Sequence, residues 1–188
     1  MPTNLSYLEE LAGVLKEVVQ KMTARTGKIN FTGDPKIERR DIIEYQRRMR
    51  VSGLEKFNKP AYVSGVSYFR TSKDQEEHKS CGALVLYIEE EFMETLLKAL
   101  GHTTIDEDTE EALAKKCGEF CLTLAEQFKN EISSQGYNGL VSSEPVSFRN
   151  SIPLGLDFSY DQYDKYEVSF SIKNFRVLVA EVTMGGRK

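Results

Sequence analysis

The residues best suited to do chemistry lie in one long segment, 108–136, which contains no proline. At about 100° per residue, a helix over this segment places several polar side chains within about 60° of Glu119. These are Lys115, Lys116, Thr123, Glu126 and Asn130. The opposite side carries Leu113, Ala114, Cys117, Cys121, Leu124, Phe128 and Ile132. The segment therefore predicts a helix with one solvated face and one core face.

Leu122 does not follow this division of the helix. It projects at about 300° from Glu119, on the shoulder of the polar face and close to Glu126. A leucine in this position either contacts a neighbouring element of the same chain or binds a partner protein. The residues alone leave both interpretations open.

The cysteines and histidines are the candidate ligands for a metal ion. Cys117 and Cys121 stand four residues apart, but both lie inside the apolar stripe of the helix. A structural zinc site needs four well-placed ligands, and the other candidates are Cys81 and two loop histidines, His78 and His102. We interpret the helical cysteines as core residues and predict no metal. The sequence also lacks a Gly-x-Ser-x-Gly nucleophile motif and a glycine-rich phosphate loop.

The N-terminal elements must help to position the long helix. Ser6 and Glu9 form a capping box at the start of an apolar stripe that ends at Gly27, which predicts a first helix. Residues 28–32 predict a short strand. The charge-rich segment 36–56 carries apolar residues at near-helical spacing and predicts a further helix.

The middle of the chain predicts a hairpin followed by a helix. Residues 61–69 and 81–88 are β-branched and aromatic, and the polar stretch 70–80 between them predicts a long hairpin loop. Residues 89–100 predict a helix that stops at Gly101. A loop over 102–108 then leads into the long helix, for which Asp108 and Glu111 form a capping box.

The C-terminal part switches to a period of two. Residues 166, 168, 170 and 172 are apolar and alternate with polar ones, which predicts a strand with one solvated face. Lys173 and Asn174 predict a tight turn into a last strand that ends at Met184, and 185–188 should fray.

This order of elements predicts an α+β fold. Helices and strands come in two rounds, about 1–101 and 102–188, so we predict one two-layer domain built as a pseudo-duplication, with long helices on an antiparallel or mixed sheet. No repeat is visible at the residue level, and an α+β domain that simply holds two long helices explains the pattern equally well.

Composition excludes several classes of protein. The chain has 188 residues, is 40% apolar and 29% charged, and can bury a core of its own as a single domain. Its net charge of −4 gives no general attraction to nucleic acid or anionic lipid. No apolar run approaches the ~20 residues of a membrane-spanning helix, and the N-terminus lacks a secretory pattern. With three cysteines and no spaced framework, we predict a cytoplasmic protein without a membrane or nucleic-acid partner.

An ordered series of segments resembles the CheX-like branch of the CheC chemotaxis phosphatases. The series begins with GALVLYIEEEFMETLLKALG at 82–101 and continues with IDEDTEEAL at 105–113. Gly118-Glu119 and then EISSQGY at 131–137 complete it. The resemblance is close over about residues 63–148 and extends to the whole chain in the order of elements.

The resemblance implies a specific activity. Members of this family remove the phosphoryl group from the aspartate of a response-regulator receiver domain. Their long helix carries Glu-x-x-Asn, in which the glutamate engages a lysine of the receiver and the asparagine amide orients the attacking water. The receiver supplies Mg²⁺ and the acyl phosphate, so the phosphatase contributes positioning and needs no cofactor of its own.

In this chain the motif is incomplete. Glu119 matches the glutamate, but Leu122 stands at the asparagine position, and leucine has neither a donor nor an acceptor with which to hold water. Three substitutes were considered. Glu55 and Asn58 have the right spacing but precede Lys59-Pro60, which disfavours a continuing helix. Gln20, one turn after Glu17 on the first helix, and the hydroxyl of Thr123 are the other two.

The leading hypothesis is a CheX-like protein that binds a receiver domain and lacks the water-orienting residue, with Glu119, Leu122, Thr123 and Glu126 as candidate binding residues. The alternative is an active phosphatase that pairs Glu119 with a substitute polar residue; a third interpretation is an unrelated α+β domain. A homodimer is also predicted. Residues 36–56 hold seven basic and four acidic residues, and 89–119 hold ten acidic residues and three lysines. Such opposed patches either steer a partner or a second copy, or are simply solvated faces.

Overall fold

A computed structural model describes residues 3–25, 29–101 and 109–186. The helices are α1 (Thr3–Ala24), α2 (Leu54–Phe57), α3 (Ser72–Glu76), α4 (Glu90–Ala99) and α5 (Glu110–Ile132). The strands are β1 (Lys36–Asp41), β2 (Glu44–Tyr45), β3 (Arg48–Ser52), β4 (Ala61–Phe69), β5 (Gly82–Glu89), β6 (Val141–Ser142), β7 (Val146–Arg149), β8 (Ser151–Leu156), β9 (Asp164–Ile172) and β10 (Phe175–Met184).

Seven of the strands form the main sheet. Its order is β1-β9-β10-β5-β4-β6, and β7 also pairs with β4. Every pairing is antiparallel, as in the register of Gly65 with Val85 and of Ser64 with Ser147. The sequence prediction of long helices packed on an antiparallel sheet in an α+β fold is confirmed.

The strand order is symmetric about the central β5–β10 pair. The first strand after α1, β1, pairs with β9 near the C-terminus, while β7, which follows α5, pairs with β4 of the N-terminal half. Two related halves that exchange their first strands would give this order. The duplication itself stays a prediction, as does the division of the chain near residue 101.

One face of the main sheet is covered by α1, α4 and α5. The apolar stripe predicted for α1 is buried, with Leu11 and Leu15 fully inaccessible, and the stripe of α5 packs beside it. Tyr62, Leu84, Val168 and other residues on this face of the strands complete the core. None of the helices in the described ranges is long and apolar enough to cross a membrane.

The other face of the main sheet carries a small three-stranded sheet of order β2-β3-β8. A second core lies between them and contains Met49, Val51, Val85 and Leu156. The prediction that β9 has one solvated face is therefore wrong. Its polar residues are covered as well, and Glu167 is 1% exposed.

Two predictions for residues 28–56 are also wrong. Ile29–Thr32 is irregular, although the backbone N–H of Thr32 donates to the carbonyl of Ser171. In place of the predicted helix over 36–56, the chain forms β1, β2 and β3 before the single-turn α2. All residues of β1 except Ile37 are charged, which suits an edge strand, because charges discourage pairing with other chains.

The predicted helix ends differ by a few residues from those observed. The first helix begins at Thr3, before Ser6, and the long helix begins at Glu110 with Thr109 as its cap. Gly27, Asp108 and the predicted loop at 102–108 lie outside the described residues. The tail does not fray at Gly185, which is buried and whose N–H donates to the carbonyl of Cys81 at 2.6 Å.

Candidate functional site

The candidate site lies on α5, which its cap and its packing hold in place. The Thr109 hydroxyl accepts a hydrogen bond from the Ala112 N–H at 3.1 Å, and two glutamates in the first turn suit the positive end of the helix dipole. Further along, the Tyr68 hydroxyl donates to the carbonyl of Ala125 at 2.8 Å. The Cys121 thiol donates to the carbonyl of Ser64. Both contacts fix α5 against β4.

Gly118 allows β7 to approach the helix closely. A Cβ at this position would lie 2.4 Å from Oγ of Ser147, a separation that real side chains do not adopt. The same Ser147 hydroxyl is 2.8 Å from that of Ser64, which ties β7 to β4. The glycine before Glu119 therefore brings the strand alongside the candidate carboxylate.

A cleft of about 790 Å³ results between the first half of α5 and residues 144–149. We call it the α5 cleft. On the helix side it is lined by Glu110, Glu111, Ala114, Lys115, Gly118, Glu119 and Leu122. On the other side it is lined by Glu144, Pro145, Ser147, Phe148 and Arg149. This second wall is not predictable from the sequence, because no local pattern shows that β7 returns beside α5.

The structure places Glu119 and Leu122 together in the α5 cleft. The side chain of Glu119 is 52% exposed, and one of its oxygens lies 3.3 Å from Nζ of Lys116. Leu122 is half-buried one helical turn further on and presents only hydrocarbon. The cleft thus combines an accessible carboxylate with an apolar shelf.

The other two candidate binding residues do not line the cleft. The Thr123 hydroxyl donates to the backbone carbonyl of Glu119 at 3.0 Å, so its proton is already used within the helix. Glu126 pairs with Lys129 at 2.6 Å. Burial alone would raise the pKa of Glu126, but the neighbouring Lys129 outweighs it and the pKa is lowered.

The remaining substitutes for the missing amide are spread over the chain. Asn58 follows the last residue of α2 at φ 53°, so it does not share a helix face with Glu55. Glu17 and Gln20 are both exposed on α1, one turn apart. His78 is exposed with Nδ1 3.1 Å from Asp157, and His102 lies outside the described residues.

The helical cysteines lie in the core. Burial raises the pKa of Cys121 to about 12 and that of Cys117 well above its ordinary range. Both thiols therefore stay protonated at neutral pH, and a metal ligand or nucleophile would have to be a thiolate. In the described ranges no three His, Cys, Asp or Glu side chains form a cluster that could hold a metal ion.

The predicted basic patch over 36–56 is largely neutralised. Arg39, Arg48 and Arg50 form ion pairs with Asp164, Asp157 and Glu55 respectively. Arg40 lies between Glu38 and Glu167. Arg47 differs, since its guanidinium has no ion pair or hydrogen bond among the described residues.

Solved structures of chemotaxis proteins have the same fold over nearly the whole chain. A CheC-like superfamily protein from Shewanella sp. PV-4 is 16% identical with a TM-score of 0.54, and the match covers 98% of this chain and 100% of that one. FliY of Thermotoga maritima is 13% identical with a TM-score of 0.59, covering 98% and 92%. CheX of Borrelia burgdorferi, solved as a CheX–CheY–BeF3–Mg²⁺ complex, is 12% identical with a TM-score of 0.53, covering 96% and 98%.

No protein-family model and no curated protein matches the sequence. The likeness is therefore one of fold. It confirms that this chain has the architecture of CheC- and CheX-like chemotaxis proteins, which the ordered series of sequence segments indicated.

The close approach at Gly118 gives a stability prediction with a matched control. Gly13 also lies inside a helix, but a Cβ there meets nothing within 4 Å. Replacing Gly13 with alanine should therefore stabilise the protein by up to ~1 kcal/mol through helix propensity. Gly118→Ala gains the same propensity but forces Ser147 away, and should be less stable than Gly13→Ala by about 1–3 kcal/mol.

Urea denaturation of both variants measures this difference, and the shared propensity gain cancels. Since the Cβ of Ser147 would lie at an ordinary 3.5 Å, adding Ser147→Ala to Gly118→Ala should recover most of the loss in a double-mutant cycle. Equal free energies of unfolding for the two single variants would contradict the close approach of β7 to α5.

Proposed function

We propose that this chain is a CheX-like protein of chemotaxis or two-component signalling that binds the receiver domain of a response regulator. The fold supports this proposal, because one of its structural neighbours, CheX of Borrelia burgdorferi, was solved in a complex with CheY. The α5 cleft is the candidate contact surface. Glu119 is accessible there and would engage a lysine of the receiver.

The observation that carries the rest of the proposal is the hydrocarbon at Leu122. Orienting a water for attack on the acyl phosphate needs a side chain with a donor or an acceptor, one turn from the docking carboxylate. Among the described residues that line the α5 cleft there is no asparagine or glutamine. The one hydroxyl, that of Ser147, is paired with Ser64. We infer that the chain binds the receiver without accelerating hydrolysis.

On this proposal the metal belongs to the partner. The receiver would hold Mg²⁺ and the phosphoryl group, and the chain would supply the accessible carboxylate of Glu119 beside the hydrocarbon of Leu122. We also propose that the chain forms a homodimer, as predicted from the sequence. Binding would shield or redirect the receiver in place of switching it off.

A second candidate function is an active phosphatase with a substitute amide. The observation in its favour is on α1, where Glu17 and Gln20 are both exposed at the same one-turn spacing. Thr123 is the weaker alternative, since its hydroxyl is engaged with the helix backbone. Phosphate release separates this candidate from the binding proposal, and Gln20→Ala would abolish any activity that depends on the amide.

Glu119→Ala should weaken binding of a CheY-like receiver domain, charged with BeF3⁻ and Mg²⁺, by about tenfold or more. The reason is the loss of one charge-assisted hydrogen bond to the lysine of the receiver. Isothermal titration of the purified domains measures the dissociation constant. Glu131→Ala is the matched control, because Glu131 is exposed on the same helix and lies outside the cleft.

Two results would count against the proposal. One is equal binding by wild type and Glu119→Ala when Glu131→Ala is also unchanged. The other is many-fold faster phosphate release from the phosphorylated receiver with the wild-type chain than without it, which would favour the phosphatase.

A further inference from the structure

A second cavity lies beside the small sheet and shares no lining residue with the α5 cleft. Its walls are Ile42 from the turn after β1 and three aromatic residues between β8 and β9, namely Phe158, Tyr160 and Tyr163. We call it the tyrosine pocket. Its volume of about 430 Å³ falls in the range of ligand-binding sites. The rings of Phe158 and Tyr160 meet edge to face at 5.3 Å, which shapes an apolar slot.

The unused hydrogen-bonding groups at this pocket are mainly donors. The side-chain amide of Gln162 lies 3.3 Å from the hydroxyl of Tyr7, a contact that leaves at least one N–H of the amide without a partner in the described structure. The guanidinium of Arg47 is likewise unpaired there. Glu44 is the opposing charge, but its Oε1 already accepts the backbone N–H of Arg47 at 2.8 Å. A ligand that brings a carboxylate would satisfy both sets of donors.

The position of Arg47 is fixed by an unusual turn. Gln46 and Arg47 connect β2 to β3 at φ 51° and 64°, a left-handed conformation that usually needs glycine or asparagine. The Tyr160 hydroxyl donates to the carbonyl of Arg47 at 2.7 Å and braces this turn across the pocket. Strained backbone that the surroundings hold in place is typical of functional positions. The brace holds the backbone of Arg47 beside the pocket.

Two aromatic residues that line the pocket are accessible. Tyr160 is 53% exposed and Tyr163 is 80% exposed. A small molecule in the pocket would leave these side chains in water, whereas a protein segment would cover them. Tyrosine and arginine are also the residues that dominate binding energy at the centres of protein interfaces. The surroundings therefore favour a macromolecular occupant.

We propose that the tyrosine pocket binds a segment of a partner protein that inserts a large apolar side chain and pairs an adjacent carboxylate with Arg47. The apolar slot at Phe158 and Tyr160, with Tyr163 also lining the pocket, takes the apolar group. The amide of Gln162 adds a second donor to the same carboxylate. This site is independent of receiver binding at α5.

The test is an NMR titration of the full chain with the capped peptide acetyl-Gly-Asp-Phe-Gly-amide. Saturable shifts are expected for backbone amides at 42–47 and 158–163, with millimolar affinity. The same peptide with asparagine for aspartate should bind about tenfold more weakly, through loss of the charged hydrogen bonds to Arg47. Arg47→Gln should remove this preference for aspartate, and Tyr163→Ser should weaken both peptides.

Arg25→Gln is the matched control, because Arg25 is exposed at the end of α1 and far along the chain from the pocket residues. It should leave binding unchanged. Phenylacetate tests whether a small molecule that combines an aromatic ring with a carboxylate binds the pocket in place of a protein segment. Binding of phenylacetate as tightly as the peptide, equal binding of the two peptides, or no saturable shift at these amides would each overturn the proposal.

Discussion

Leu122→Asn should convert the chain into a phosphatase for its receiver partner. The substitution places an amide one helical turn from Glu119, on the rim of the α5 cleft, where the wild type has hydrocarbon. The carboxylate would dock the receiver and the new amide would hold the water in line with the acyl phosphate. Because the proposed mechanism consists of positioning, we expect phosphate release to rise by about 10- to 100-fold over the wild type.

Two variants test whether the gain comes from the amide. Leu122→Ala removes the leucine without adding a hydrogen-bonding group and should leave phosphate release at the wild-type rate. Leu122→Asn combined with Glu119→Ala should lose the gain, since the receiver no longer docks. Leu122 is only half-buried, so the asparagine should reduce the free energy of unfolding by about 1 kcal/mol.

The prediction depends on receiver binding, and its failure can be located. If Leu122→Asn binds the receiver as tightly as wild type and phosphate release does not change, the second wall of the cleft holds the partner out of reach. Phe148 and Arg149 would then be the residues to replace, because they belong to the second wall of the cleft. If the wild type is already as fast as the variant, the amide lies elsewhere and Leu122 is incidental.

The elements that carry the site were predictable because their patterns are local. The stripe of α5 repeats at three and four residues, and its buried members, such as Leu124 and Phe128, are the ones that the pattern assigned to the core. The strands β4 and β5 are rich in β-branched, aromatic and other apolar residues, and both are buried throughout. In these segments propensity, pattern and tertiary packing agree.

The segment 36–56 was not predictable because its turns lack the usual signals. The β2–β3 connection uses Gln46 and Arg47 in left-handed conformations, which no sequence rule assigns to these residues. The carbonyl of Arg47 accepts a hydrogen bond from the hydroxyl of Tyr160, more than a hundred positions away in the chain. A local pattern does not show a tertiary contact of this kind.

The prediction of a solvated face on β9 failed for a related reason. Alternation of polar and apolar residues normally means that one face meets water, but the polar face of β9 meets α2 and oppositely charged side chains of the same chain. Glu167 is matched by Lys56 and Arg40, which come from distant parts of the chain. A pattern within one strand cannot show that an opposite charge will cover it. The second wall of the α5 cleft was not predicted for the same reason, since it comes from a different segment of the chain.

Those covered charges give the largest expected effect on stability, for the substitution Lys56→Met. The ammonium of Lys56 lies 2.6 Å from Glu167 and 2.6 Å from Glu181, and each glutamate is 1% exposed. Methionine has a similar length but no charge, so both carboxylates lose a partner in the protein interior. Lys165 still reaches Glu181 at 3.1 Å and Arg40 still reaches Glu167. We therefore expect the free energy of unfolding to fall by about 3 kcal/mol, which is at the lower end of the range for removing one partner of a buried ion pair.

Guanidinium denaturation at pH 7 measures the loss, and Lys98→Met is the control. Lys98 pairs with Glu94 at 3.1 Å on the exposed surface of α4, with both side chains more than half exposed. An exposed pair of this kind contributes little, so the control should change the free energy of unfolding by less than ~0.5 kcal/mol. A Lys56→Met protein as stable as the control would contradict the packing of α2 on the main sheet.

The pH dependence of the Lys56→Met effect checks its electrostatic origin. Burial by itself raises the pKa of Glu181, but Lys165 and Lys56 outweigh it and the pKa is lowered. Glu167 is lowered in the same way, mainly by Lys56 against its own burial. Both groups therefore stabilise the wild type above the ordinary carboxyl pKa, and that contribution is lost as pH falls through their lowered folded-state values. In Lys56→Met fewer cations oppose the effect of burial, so the folded-state pKa values of Glu167 and Glu181 rise. The two carboxylates of the variant are therefore protonated at a higher pH than in the wild type, and their protonation removes the cost of the unpaired buried charges. The stability difference between wild type and variant should narrow steadily from pH 7 to pH 4, whereas a difference caused by lost packing alone would stay constant.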